Sequence, residues 1–333
     1  MTQTAPPAAS TRFRRLGIGI VIFLAVYSGI WFLAAHQIET RLASFLTSRS
    51  GSASAQCDGL TVRGFPFRIG LFCDAVKVDD TKLGASGAAG ALRSAAQVYW
   101  PGHAVIEMDG PAELRFSPGI TTSMDWQTLK ASIQATLSGL SRTSIVSERL
   151  AGTLVPTLGE DALAFATNTT ELHLRQNDSD LDAALSVTGL DLKPHNGASL
   201  LPLMNAAIDL TVKDRATLLD RGGLSRHALR SSAGEVRNLT IDLGNGMVTT
   251  ANGPFTVDDQ GLISGAFKVT MRDIAAWRAA LASAFPESEN MLDNAANMLT
   301  ALAAGGNDAT VTLNVRDGTA FLAFIPIGVL PQL

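Results

Sequence analysis

The sequence carries little charge and no excess of basic residues. Its 26 Lys and Arg and 30 Asp and Glu give a formal net charge of −4, and charged residues make up only 17% of the chain. A nucleic-acid-binding surface shows as clustered Lys and Arg. We therefore expect no nucleic-acid partner.

The sequence also lacks the motifs of common catalytic and nucleotide-binding sites. It has no HExxH, no GxxxxGK[ST] and no GxSxG. The acidic run 178–182 resembles the start of a calcium loop, but Ala183 and Gly189 replace the glycine and glutamate that such a loop needs. The histidines show no metal-ligand spacing: His36, His103, His173, His195 and His227. We expect no catalytic residues, no metal and no cofactor, and keep an enzyme with an unrecognised site as an alternative.

One long apolar run lies near the N-terminus. The uncharged segment Leu16–Ala35 has about 20 residues, enough for a helix to cross about 30 Å of hydrocarbon. No acidic residue precedes Glu39, and three arginines stand just before the run: Arg12, Arg14 and Arg15. This charge pattern favours a cytoplasmic N-terminus. A cleaved signal peptide is the alternative, but the run is long for one and a cut after Ala35 lacks a small residue at −3.

The two cysteines are placed to form a disulfide. In the stretch from Cys57 to Cys73, two apolar runs flank Gly64-Phe65-Pro66. If these three residues form a hairpin turn, Cys57 and Cys73 face each other on antiparallel strands and their Cβ atoms come close enough to bridge. Such a bond is expected in an oxidising compartment. Two free buried thiols are the alternative, because a register slip of one residue would separate the pair.

The rest of the chain divides into segments by composition and periodicity. We expect a disordered cytoplasmic tail at 1–11, a transmembrane helix with a short helical extension at 12–48, and a linker at 49–56. A β-rich domain follows at 57–333, with an internal boundary near 195–230. The anchor would place this domain on the periplasmic side of an inner membrane.

Within that domain the apolar residues mostly alternate, which predicts strands. Asn245-Gly246 predicts a tight hairpin turn between two of them. Residues 274–285 and 291–302 instead show the spacing of amphipathic helices. A sheet with one apolar face needs a cover, so the predicted fold class is α+β, mainly antiparallel, with a twisted meander sheet covered on one face by these helices.

Four motifs together resemble one protein family. They are Tyr-Ser-Gly-x-Trp-Phe at the end of the anchor (27–32), Gly-Phe-Pro-Phe-Arg (64–68), the glycine pair Gly-Gly (222–223), and the closing Ile-Pro-Ile-Gly-x-Leu-Pro (325–331). Nearly the whole chain resembles the uncharacterised envelope family of domain of unknown function 2125, DUF2125. The resemblance implies a single-pass, periplasm-facing inner-membrane protein of Gram-negative bacteria. It implies no catalytic residues.

The Gly-Phe-Pro-Phe-Arg motif has a structural interpretation. Gly64 permits a positive φ, Pro66 fixes its own φ and donates no ladder hydrogen bond, and Phe65 and Phe67 would anchor the turn on the core. Together with Arg68 these residues are predicted to form a hairpin. Partner recognition by Phe65 is the alternative.

The closing strand suggests a ligand. Between 319 and 330 both strand faces carry apolar residues, which need either a packed core or a hydrophobic groove. We therefore take Phe321, Phe324 and Ile325 as candidate groove residues, with a lipid or other hydrophobic envelope component as the ligand. The alternative is a scaffold or assembly protein that holds other envelope proteins. An open apolar trough on the sheet would favour binding of an apolar ligand.

Overall fold

The computed structural model describes residues 11–47, 53–116, 119–156, 162–194, 197–220 and 227–333. Most of the predicted tail, His195 and the glycine pair at 222–223 lie outside these residues.

The N-terminal apolar run belongs to one long helix, α1 (Thr11–Thr47), of 37 residues. By length and composition its segment Phe13–Arg41 could cross a membrane, as an anchor or a signal sequence does. Its apolar side chains are largely exposed, which suits a helix surrounded by lipid. Near the C-terminal end of the run, Trp31 and Ala35 are instead buried, where α1 contacts the first strands.

The described residues beyond α1 form a long antiparallel meander. Its first part contains β1 (Ala53–Asp58), β2 (Thr61–Arg63), β3 (Arg68–Cys73), β4 (Ala75–Asp80), β5 (Ala85–Ala89), β6 (Leu92–Gln97), β7 (Trp100–Met108), β8 (Ala112–Phe116), β9 (Ile120–Asp125), β10 (Thr128–Ala135), β11 (Leu140–Glu148), β12 (Ala151–Val155), β13 (Leu163–Ala166), β14 (Thr169–Asn177) and β15 (Asp180–Pro194). Its second part contains β16 (Met204–Val212), β17 (Ser232–Asp242), β18 (Val248–Val257), β19 (Ile263–Met271), α2 (Ile274–Ala284), α3 (Glu289–Leu302), β20 (Ala309–Arg316), β21 (Thr319–Leu322) and β22 (Ile325–Val329). The predicted mainly antiparallel sheet is confirmed.

The first part of the meander is folded along a crease. From β1 to β14 the strands are grouped in consecutive pairs, β1 with β2, β3 with β4, and so on to β13 with β14. One to three residues separate the two strands of a pair, which together form one long bent strand with one segment on each side of the crease. Backbone hydrogen bonds bridge the crease: Asp74 N donates to Asp58 O at 2.7 Å, and Asn168 N donates to Thr188 O at 2.8 Å. β15 runs through both sides unbroken and pairs with β13 and β14. The two sides are therefore one continuous sheet with aligned bends.

The disulfide Cys57–Cys73 is present, but the predicted hairpin register is wrong. β2 pairs with β3 through Arg63 and Gly70, and Cys57 pairs with Val76. The backbone bends at the crease just after β1 and just after β3. These bends bring the ends of the two strands together, and the Cα atoms of the two cysteines lie 5.3 Å apart. The bond therefore joins strands on opposite sides of the crease.

Two of the predicted segment limits also differ from the structure. β1 begins at Ala53, so the linker predicted at 49–56 is shorter, and residues 48–52 lie outside the described residues. β16 pairs with both β15 and β17, so the sheet continues through the boundary predicted near 195–230. The split strands end at β14, ahead of this segment.

The two C-terminal helices are present where the pattern predicts them, but the structure does not show them covering a face of the sheet. α2 begins at the cap Asp273, whose side chain accepts a hydrogen bond from Ala276 N at 3.2 Å. It buries Ile274 and Trp277 near the end of β17–β19, whereas α3 buries no side chain fully. Among the described residues, the short 3-10 helix Ala216–Leu219 also packs on this face, where Leu218 is buried against Leu181 and Val212.

Candidate functional site

An apolar trough of about 460 Å³ lies on one face of the sheet between β16 and β21. Its wall is apolar except for Ser232, whose hydroxyl donates a hydrogen bond to Leu229 O at 2.5 Å. The other lining residues are Ile208, Leu210, Val212, Leu229, Val236, Leu239, Ala251, Phe255, Val257, Ile263, Phe267, Val269, Leu313, Val315, Ala320, Leu330 and Leu333. In the described part of the chain, β22 does not pair with the first strands. The sheet therefore stays open, and its apolar face forms the trough.

Strand alternation creates this surface. Phe255 and Phe267 face the trough, while intervening residues such as Lys268 face solvent. Gly234 stands opposite Phe255 in the β17–β18 ladder, and a Cβ at Gly234 would overlap the phenylalanine ring. Because Gly234 has no side chain, the Phe255 ring can lie flat against the sheet at this position.

Different segments close the two ends of the trough. At one end, Trp277 of α2 packs on Leu243 and Met247 and against Ile241 and Met271, which continue the trough face of β17 and β19. At the other end, the C-terminal Leu333 forms part of the wall. Its backbone N–H donates to Gly261 O at 3.0 Å, and the Arg230 side chain donates from Nε to Leu333 O at 3.2 Å.

The predicted groove residues do not line the trough. Phe324 is 95% exposed and Ile325 is exposed as well, because the chain turns tightly at Ala323, where φ is 54°. Phe321 lies one residue beyond the lining residue Ala320, so alternation directs it to the opposite face. The prediction is wrong for these residues. The alternation of apolar residues in β17–β19 could have identified the trough, but that face of the sheet was predicted to be covered by helices.

The Gly-Phe-Pro-Phe-Arg turn packs on α1. Tyr27 Oη donates to Pro66 O at 2.5 Å, and Trp31 Nε1 donates to Arg68 O at 3.2 Å. Phe65 stacks 5.4 Å from Phe32 between ring centroids and meets Trp31 edge-on at 5.5 Å. Two of the motifs noted in the sequence therefore form one contact, between the turn and the far end of the apolar run.

This contact corrects part of the motif's interpretation. Gly64 has the expected positive φ, 122°. Phe65, however, anchors the turn on α1 rather than on the sheet core, and Phe67 is exposed. The turn thus joins the helix to the domain.

A family model described as "Uncharacterized protein conserved in bacteria (DUF2125)" matches residues 31–331. The chain belongs to the DUF2125 family. The match runs from Trp31, in the contact with the turn, through the trough almost to the C-terminus of this DUF2125 chain. No curated protein matches the sequence.

A polar cluster lies on the sheet face opposite the trough. Asp182 Oδ2 pairs with Arg175 at 2.6 Å, and Asp182 Oδ1 accepts from Thr211 at 2.7 Å and from Arg237 at 3.0 Å. Arg237 also pairs with Asp209. Burial would raise the pKa of the Asp182 carboxyl, but hydrogen bonds from Arg175, Thr211 and Arg237 lower it from 3.8 to about 2. The pKa of Arg237 is raised, chiefly by its hydrogen bond to Asp209.

The cluster links the neighbouring strands β14–β17 through ion pairs, which indicates a structural role. Each of its charges has an opposite partner, and these partners lower the pKa of Asp182. Within the described residues, no group of three or more His, Cys, Asp or Glu could hold a metal ion. The trough of this DUF2125 chain differs from the cluster, because its wall contains no charged side chain.

The depressed pKa of Asp182 predicts an acid-sensitive contribution to stability. As pH falls, the unfolded chain takes up this proton near pKa 3.8 and the folded chain only near 2. The contribution, about 2 kcal/mol, should be complete above about pH 5 and disappear between about pH 4 and pH 2. Asp182→Asn should therefore lower the free energy of unfolding at pH 7, by a margin that shrinks as the pH falls. Urea titrations across this range measure it.

Asp259→Asn is the matched control, since its side chain lies in the exposed turn before β19. It should leave the unfolding curve unchanged. A constant difference between Asp182→Asn and the unaltered protein from pH 7 to pH 2 would contradict the assignment.

Proposed function

We propose that this protein is a non-enzymatic, membrane-anchored envelope protein that binds the acyl chain of a lipid, or a similar elongated apolar molecule, in the trough. The apolar lining of the trough is the observation that carries the proposal. Its volume of about 460 Å³ falls within the usual size of small-molecule sites, about 300–1,000 Å³. Each methylene buried there would contribute about 0.8 kcal/mol.

The chemistry of the wall supports an apolar ligand. The hydroxyl of Ser232, the polar side chain among the lining residues, is already bonded to Leu229 O. The wall therefore favours aliphatic chains and leaves a polar headgroup outside, near the ends of the trough. The side chains of the wall also include no acid, base or charged group, which supports binding rather than catalysis.

The place of action is part of the same proposal. The long apolar helix supports a retained anchor, and the arginines that precede the run support a cytoplasmic N-terminus. In a bacterial protein, the disulfide Cys57–Cys73 supports folding in the periplasm. The alternative of a protein scaffold has weaker support, from the exposed edge strand β22 alone, and we do not propose it.

Filling the trough tests the proposal. Ala251→Phe places a ring inside the trough, and Ala266→Phe places the same ring on the exposed face of the neighbouring strand. The full-length protein would be purified from membranes and its bound lipid measured by native mass spectrometry. We expect Ala251→Phe to weaken lipid binding by about tenfold or more, since a loss of about 1.4 kcal/mol suffices for that, and therefore to lower lipid occupancy. Ala266→Phe should retain it.

Near-ultraviolet circular dichroism would show that both variants keep the native packing. The proposal fails if the unaltered protein carries no lipid. It also fails if the folded Ala251→Phe protein carries as much as the control.

A further inference from the structure

Large apolar side chains are exposed on three turns at one end of the sheet. Phe67 in the β2–β3 turn is 67% exposed, Tyr99 in the β6–β7 turn is 74% exposed, and Trp100 beside it is 57% exposed. Leu137 in the β10–β11 turn is 98% exposed. In a meander, alternate turns lie at the same end, and Val98 N donates to Phe67 O at 3.0 Å, so the first two turns are direct neighbours. We call Phe67, Tyr99, Trp100 and Leu137 the turn patch.

The turns that follow these three along the same end of the sheet, and the first turn at the opposite end, are polar by comparison. The next turn at the same end, between β14 and β15, carries Asp178 and Ser179. At the opposite end, the β4–β5 turn begins with Asp80, whose side chain accepts hydrogen bonds from Lys82 N and Leu83 N. Exposed aromatic residues grouped in this way indicate a contact surface rather than scattered surface residues.

The contact with α1 fixes where these turns would lie relative to a bilayer. Phe65, in the same turn as Phe67, packs on Trp31 and Phe32, which belong to the apolar segment itself. Tyr27, another contact of this turn, is about 12 Å along the helix from Ala35, where the segment ends. When α1 spans the membrane, the turn must reach the depth of the last helical turns of the span.

We infer that the turn patch inserts into the interfacial layer of the bilayer that α1 crosses, on the side of the sheet domain. This inference rests on the anchor of the proposed function and not on ligand binding. The interfacial layer is where Trp and Tyr are most favoured, since their rings are apolar and their N–H or O–H groups reach water. The domain is thus seated on the membrane at the Gly-Phe-Pro-Phe-Arg turn and held in a fixed orientation.

Photo-labelling by lipid tests this contact. The full-length protein would be reconstituted in phosphatidylethanolamine and phosphatidylglycerol vesicles with a phospholipid carrying a diazirine near its headgroup. After irradiation, peptides would be mapped by mass spectrometry. We expect peptides with 64–68 and 98–100 to carry about tenfold more label than those with 80–83 or 178–179, as expected for interfacial against aqueous residues. The variant with Phe67, Tyr99, Trp100 and Leu137 all replaced by serine should lose that excess.

The labelling pattern separates this inference from the proposed function. If 16–35 is labelled and the turns are not, the turn patch does not insert into the interfacial layer, and α1 still spans the membrane. Label on neither overturns both the anchor and the seating. Ligand binding is measured separately, by the lipid occupancy of the Ala251→Phe protein, because the trough residues lie between 208 and 333 and not in these turns.

Discussion

Trp277→Ala is expected to lower the free energy of unfolding by about 4 kcal/mol, the usual cost of removing a buried aromatic side chain. Trp277 is 7% exposed and forms a cluster with Leu243 and Met247. Truncation would leave a cavity between α2 and the sheet, since the strand ends are fixed by their ladders. The same cluster closes one end of the trough, so lipid occupancy should fall as well. Urea unfolding monitored by circular dichroism measures the first effect.

Trp277→Phe is the matched control. It keeps an aromatic ring, and it sacrifices no hydrogen bond because the indole N–H of Trp277 has no partner among the described residues. The loss should therefore be about 1 kcal/mol. Equal losses for the alanine and phenylalanine variants would show that packing at this position does not stabilise the end of the trough.

Removal of the disulfide is expected to lower the free energy of unfolding by about 3 kcal/mol. Cys57 and Cys73 are 16 residues apart, and in the chain-entropy model closing a loop of this size contributes about that amount. The bond also ties β1 to β3 across the crease, at the edge where α1 contacts the sheet. The variant with both cysteines replaced by alanine should unfold at a lower urea concentration.

Reduction of the unaltered protein by dithiothreitol should shift its unfolding curve as far as the double substitution does. Reductant should have no effect on the double variant. If the oxidised and reduced proteins unfold at the same urea concentration, the bond does not contribute as proposed.

Local patterns in the sequence predicted much of the fold. The apolar run, the alternating strands, the Asn245-Gly246 turn and the two helices each depend on residues close together in the chain. In the structure, Leu243 N donates to Met247 O at 3.0 Å around that turn. The disulfide was predicted correctly, although from a register that the structure does not have.

The crease and the trough could not be predicted in the same way. The crease depends on bends aligned across many strands, and a bend at Asp74 or Asn168 has no local sequence signature. The trough depends on what fails to cover the apolar face, and periodicity alone does not distinguish a covered face from an open one. Phe324 was misplaced for a related reason, because an apolar side chain at the tip of a tight turn has the same sequence signal as one in a strand.

The contact between α1 and the Gly-Phe-Pro-Phe-Arg turn also lay beyond local reasoning. Its two hydrogen bonds end on the backbone carbonyls of Pro66 and Arg68, separated from their donors by 39 and 37 residues. Backbone acceptors are present at every position, so residue types cannot reveal which ones are used. The motifs were recognisable separately, and only the fold brings them together.

The meander has a consequence for how the protein is made. Every long strand of the described residues pairs with the strands just before and after it, so the sheet can grow in the order in which the chain is synthesised. The first strands can pair before the last ones have been synthesised. The trough forms after the bent strands, because its lining begins at Ile208 in β16.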